Sequence, residues 1–203
     1  MGLYIYNLSR LPPGIESDYY IYLLDYGWHE PLGEALHANF RLMADLAARN
    51  KAVVLAGTNP RSFADEMLAA HFDDPQFSWH NINGECGDDI LPALMISTTH
   101  PARFRYENPV YHPKIEKKGL ADERLLIIPL RNFCKTTTEV ISLIEKVFKD
   151  ITSKAKLMDF AVAKEIRAGD GGALSDALIL RPALYGLGID LKELFGFLKK
   201  KRA

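Results

Sequence analysis

Residues 52–57 read AVVLAG, six positions without one polar side chain. A strand of that kind offers no face to water, so it belongs inside a sheet that is covered on both sides. Two further runs are nearly as apolar, DYYIYLL at 18–24 and RLLIIPL at 124–130. Their β-branched and aromatic residues read as buried strands. ILPALMIST at 90–98 adds a fourth, with a proline near its start, and LYIYNL at 3–8 a short first one, closed by the breaker RLPPG.

Between these runs the period changes from two to three and four. Leu32, Leu36, Phe40, Met43 and Ala47 fall on one face, so the spacing predicts a helix over 31–49. Pro31 suits its first turn, where a missing N–H costs nothing. Asn59-Pro60 predicts a second helix over 60–71, with Phe63, Met67 and Ala70 inward. Thr136-x-x-Glu139 is a capping box, and the helix it opens carries Val140, Ile144, Val147 and Ile151 on one face. Residues 72–89 are polar and read as a long loop. Residues 99–122 hold three prolines and many charges and read as an irregular excursion.

The last fifty residues have another character. The stretch 157–184 reads as two strands joined by a GDGG turn, followed by a helix from near Asp190 with Leu191, Leu194, Phe195 and Leu198 on one side. The expectation is an α/β core domain over 1–151 and a hairpin-helix extension over 152–203 packed on that core.

Composition removes several function classes. The chain has 203 residues and a formal net charge of −1, so no overall field points to nucleic acid. No apolar run approaches the roughly 18 residues a spanning helix requires, so no membrane partner is expected. The start of the chain lacks the basic and apolar regions of a signal peptide. Cys86 and Cys134 form no C-x-x-C pair and read as reduced thiols, which places the protein in the cytoplasm.

The order of elements leaves two sheets open. No clear helix separates strand 90–98 from strand 124–130. If those two are antiparallel neighbours, the pattern is βαβ, a helix, a β-hairpin and a closing helix. If they are parallel, the sheet is flavodoxin-like or TIR-like. Over roughly residues 18–151 the first arrangement resembles the thioredoxin-like fold. In that family a Trp-Cys-x-x-Cys motif follows the first central strand, usually with Pro before the second Cys, and a cis-proline precedes the third strand. Trp28, Pro31 and Leu91-Pro92 match those positions. His29 and Leu32 stand where the two cysteines would be, so the resemblance implies a scaffold without its redox function.

The stretch DYGWHEPLGEAL, 25–36, is therefore the first place to look for a site. A helix start offers unpaired N–H groups and a partial positive charge. That charge favours Glu30 as an anion and His29 as a neutral base. The plainer reading is an exposed helix cap with Trp28 packed on the sheet edge. His71, His80, Cys86 and His100 match no compact zinc spacing, and AGDGG at 168–172 lacks the lysine of a phosphate-binding loop. No metal or cofactor is expected. His100 follows Ser97, Thr98 and Thr99 at a strand end, where open sheets put their ligands. No nucleophile elbow surrounds it.

The candidate ligand or partner surface is thus Trp28, His29, Glu30, Pro92 and His100, with no catalytic role assigned. The expected function is a non-redox binding or adaptor protein that takes a protein partner, a small ligand or a second copy of itself. The alternative is a nucleotide-binding or nucleotide-processing enzyme on a Rossmann-like or TIR-like sheet.

Overall fold

The apolar runs are neighbours in one sheet. In the computed structural model of the chain the described residues are 1–12, 14–27, 30–71, 91–98, 100–101, 125–168 and 179–180. They form β1 (Gly2–Ile5), β2 (Tyr19–Leu24), α1 (Pro31–Ala38), α2 (Phe40–Arg49), β3 (Ala52–Gly57), α3 (Pro60–His71), β4 (Ala93–Ser97), β5 (Leu125–Pro129), α4 (Leu130–Phe133), α5 (Thr137–Thr152), α6 (Ala161–Ala168) and β6 (Ile179–Leu180). The strand order is β1-β3-β2-β4-β5-β6. β1 and β2 flank β3 in parallel, while β4 runs antiparallel to both β2 and β5, and β6 antiparallel to β5.

The sheet is therefore mixed, and the all-parallel alternative is overturned by the direction of β4. β4 pairs antiparallel with β2 on one side and β5 on the other, which no all-parallel sheet allows. Leu91–Pro92 is a cis peptide bond, as expected for the residue pair ahead of this strand.

Both faces of the sheet are covered, as the unbroken apolar strands require. Alternation within β2 divides the core. Tyr19, Ile21 and Leu23 point to one side, where Leu36 of α1, Met43 of α2, Ile144 of α5 and Phe160 complete a dry cluster. Tyr20, Tyr22 and Leu24 point to the other, against Phe63 and Met67 of α3. Fully burying a side chain of this size stabilises by about 1.5–3 kcal/mol, so these two layers dominate the stability of the domain. Among the described residues no helix is long and apolar enough to cross a membrane.

Two expectations from periodicity need correction. The helix expected over 31–49 is two helices. Asn39 breaks it with φ −92° and ψ 7°, and its side-chain amide donates to the Ala35 carbonyl at 2.8 Å. Asn and Asp compete with the helix in this way through local side-chain bonds. The first arm of the expected C-terminal hairpin is not a strand. Residues Leu157–Asp159 form a 3-10 turn and Ala161–Ala168 form α6. The carboxylate of Asp150 accepts the Ala161 N–H at 2.7 Å, and Phe160, Val162 and Ala163 enter the core. A distant carboxylate thus does the work of a local cap. The second arm persists as the two residues of β6. The GDGG turn, the helix expected from Asp190 and the loop at 72–89 lie outside the described residues.

Candidate functional site

The end of the sheet where β2 finishes and β4 begins holds most of the described groups with chemical potential. Leu24 pairs with Ala93 there, so the chain leaves β2 toward α1 beside the point where Pro92 enters β4. Pro92 is buried, and an added Cβ on Gly33, in the first turn of α1, would lie 3.7 Å from its ring. The first turn of α1 therefore rests on Pro92.

Glu30 is the N-cap residue of α1, with extended backbone and no side-chain cap bond. Its carboxylate turns instead to Arg131 in α4, whose Nε donates to Oε1 at 3.4 Å. Both partners are partly exposed, so the pair is weak in energy and remains able to exchange for a ligand group. It joins α1 to the residues that follow β5, two segments a hundred positions apart in sequence.

A second pair was not anticipated from the sequence. Asp25, directly after β2, is only 7% exposed, and with Ser97 it is one of two buried polar residues among those described. Its Oδ1 accepts the Gly27 N–H at 2.5 Å. Its Oδ2 is bound to Nε2 of His37, on α1. Gly27 has φ +70°, a left-handed conformation open to glycine, and it lies against Pro60 at the start of α3. The local rule is plain: a short carboxylate bonding the N–H two residues on makes a turn. That turn brings Asp25 to His37 and the chain to Glu30. The signal that could have found it is an acidic residue closing an otherwise apolar strand, because a charge at such a position needs a partner. Nearby, the guanidinium of Arg61 lies 5.9 Å from the ring centre of Tyr26.

Of the five residues proposed from the sequence, Glu30 and Pro92 meet at this end of the sheet. His100 does not join them. It follows β4 at the opposite end, where Ser97 pairs with Tyr20, and its ring meets Tyr20 edge-on with centroids 5.3 Å apart. Its Nε2 is 3.3 Å from the Pro12 carbonyl oxygen. The antiparallel direction of β4 is the cause, since it sets the start of that strand, with Pro92, beside the end of β2 and its end, with His100, beside the start of β2. Trp28 and His29 lie outside the described residues.

Leu32, at the position of the second cysteine in the motif it resembles, is a buried core residue packed with Leu36 and Ile144. The one described cysteine, Cys134, is 2% exposed, and burial, with a smaller contribution from Glu139, pushes its thiol up to about 11. A thiol so placed is not a nucleophile near neutral pH. No group of three or more metal-ligating side chains occurs among the described residues. No family model, curated protein or solved structure matches the chain.

Proposed function

We propose that this chain is a non-redox binding domain on a thioredoxin-like scaffold, and that it takes a protein segment or small ligand where β2 hands over to α1. The strand order β1-β3-β2-β4-β5, with β4 antiparallel, supports the scaffold reading. The position of α1 directly after β2 supports it too. The observation that carries the functional reading is what stands at the entrance to α1. An exchangeable Glu30–Arg131 pair lies beside buried Pro92, and Leu32 is core in place of a thiol. Such a surface can bind by charge-assisted hydrogen bonds and cannot run disulfide exchange. The nucleotide-processing alternative required a parallel sheet and loses that support.

The test is site-specific photo-crosslinking in the protein's own host. A photoreactive residue at position 30 should yield discrete adducts that diminish when Arg131→Glu is added. The same residue at position 100, at the far end of the sheet, should yield few. Equal labelling from both positions, or none from position 30, would contradict the assignment.

A further inference from the structure

The opposite side of the molecule carries a different feature. Among the described residues β1 is the terminal strand of the sheet, with a neighbour on one side only. The Met1 carbonyl accepts from Val54 N–H and the Ile5 carbonyl accepts from Thr58 N–H, so the odd-numbered residues of this strand face β3. By alternation Gly2 and Tyr4 turn their N–H and C=O groups outward. Edge strands of soluble proteins are ordinarily guarded by charge or proline. Residues 1–6, MGLYIY, hold no proline and no charged side chain; the Met1 ammonium donates to the Ala52 carbonyl at 3.0 Å, and Tyr4 and Tyr6 are 53% and 72% exposed.

The groups around this edge complement their own copy. Gly2 is glycine because α2 presses on it: an added Cβ would stand within van der Waals overlap of the Ala44 side chain. Tyr4, two residues on, lies against Phe40, with ring centroids 4.3 Å apart. An antiparallel copy centred on Leu3 sets each exposed Tyr4 directly opposite the other copy's Gly2 in the ladder. Along α2, Arg41 and Asp45 are exposed and one turn apart, hence on one stripe. Asp45 lies near the start of β1, because it follows Ala44, whose side chain packs on Gly2. Gly2 is level with Ala44 and Tyr4 with Phe40. A two-fold axis at Leu3 therefore passes close to the midpoint of the stripe, and it sets Arg41 of each copy toward Asp45 of the other.

We propose that this chain forms a two-fold dimer in which β1 pairs antiparallel with β1 of a second copy, so that the two sheets join into one. Gly2 pairs with Tyr4 of the second copy and Leu3 with Leu3, giving a ladder of about four backbone hydrogen bonds. The α2 helices lie antiparallel over the seam, with the Arg41 and Asp45 charges crossed. An isologous contact of this kind closes on itself and builds no fibre. The strand is short, so the interface is small and the dimer belongs to the weak class that is read over a range of concentration. The inference stands apart from the binding reading, since it uses an edge strand and not the junction of β2 and α1.

Sedimentation velocity on the full chain, from sub-micromolar to several hundred micromolar, should show a monomer converting to a dimer and to nothing larger. Tyr4→Lys should weaken the association by about tenfold or more, because it puts a like charge from each copy on the edge where the two strands must pair. Arg41→Asp and Asp45→Arg should each weaken it, and the double inversion should restore it. Leu3→Cys in a Cys86→Ser background should form an interchain disulfide on oxidation, because facing residues of a non-hydrogen-bonded pair lie about 4.5 Å apart at Cα. Unchanged circular dichroism and melting temperature confirm that each variant folds. A monomer at every concentration overturns the proposal, whether the edge stays open or another part of the chain fills it. So does a dimer that ignores Tyr4→Lys and the charge inversions.

Discussion

Replacing Asp25 by alanine should destabilise the domain more than most single polar changes. The carboxylate makes two bonds, to Gly27 N–H at 2.5 Å and to His37 Nε2. The side chains of His37 and Asp25 are 25% and 10% exposed, so water can replace only part of what is lost. A hydrogen bond to a charged group contributes about 1.5–3 kcal/mol net. Two would give up to about 6 kcal/mol, but the alanine also removes the cost of desolvating the carboxylate, which is substantial at such a site. The expected loss is roughly 2–3 kcal/mol, or about 4–12 °C in melting temperature for a domain of this size. Asp25→Asn keeps an acceptor for Gly27 and should cost roughly 1 kcal/mol. His37→Ala should cost about as much, and the double variant should cost less than the sum of the two alanine changes. Urea unfolding followed by circular dichroism measures all four. The reasoning fails if Asp25→Ala lies within about 0.5 kcal/mol of the parent, the range of a neutral surface change, or if Asp25→Asn is as damaging as alanine.

Cys134 should resist thiol reagents in the folded protein. With its thiol pushed up to about 11, roughly one molecule in a thousand carries the thiolate at pH 8, and burial closes access as well. The Cys86→Ser variant should react slowly when native and fully in denaturant; rapid native labelling would contradict the burial. At the start of α5, Thr136 and Glu139 cap each other: the Glu139 carboxylate accepts from Lys135 N–H at 2.5 Å and Thr136 N–H at 3.0 Å. Thr136→Ala should cost about 1 kcal/mol in urea unfolding, and no loss would show the cap to be idle. The backbone N–H bonds from Lys135 and then Thr136 hold the Glu139 carboxyl below its usual range. Its folded pKa is therefore depressed, so its contribution is present above the unfolded value and is lost as pH falls through the folded one. As pH falls below the usual carboxylate range, the melting temperature of Glu139→Gln should fall less steeply than that of the parent.

How far the fold was legible depended on whether the deciding interaction was local. AVVLAG, Asn59-Pro60 and the capping box name their own structures: β3 spans Ala52–Gly57, α3 spans Pro60–His71 and α5 begins at Thr137. The break between α1 and α2 was hidden because the apolar spacing of Leu32, Leu36, Phe40 and Met43 runs through it, while the cause is one amide bond made by Asn39. The GDGG turn suggests a strand on either side of it, while the bond that starts α6 comes from Asp150, eleven residues earlier. The site divides in the same way. Pro92 is marked by a resemblance in motif and Glu30 by its place at a helix start, but Arg131 reaches Glu30 only because β5 returns the chain to that end of the sheet. His100 was grouped with them because a strand end is attractive in an open parallel sheet, and the antiparallel β4 carries it away. Asp25 and His37 are twelve residues apart across a turn, and no periodic pattern joins them.

The central claim is that the junction of β2 and α1 works without thiols. It is tested most directly by the turnover of insulin disulfides in the presence of dithiothreitol. Leu32, in the first turn of α1, is core, and Cys134 is buried with its thiol raised. The account predicts a rate equal to that of dithiothreitol alone, unchanged by Cys86→Ser or Cys134→Ser. A rate above that background, abolished by either substitution, would contradict it.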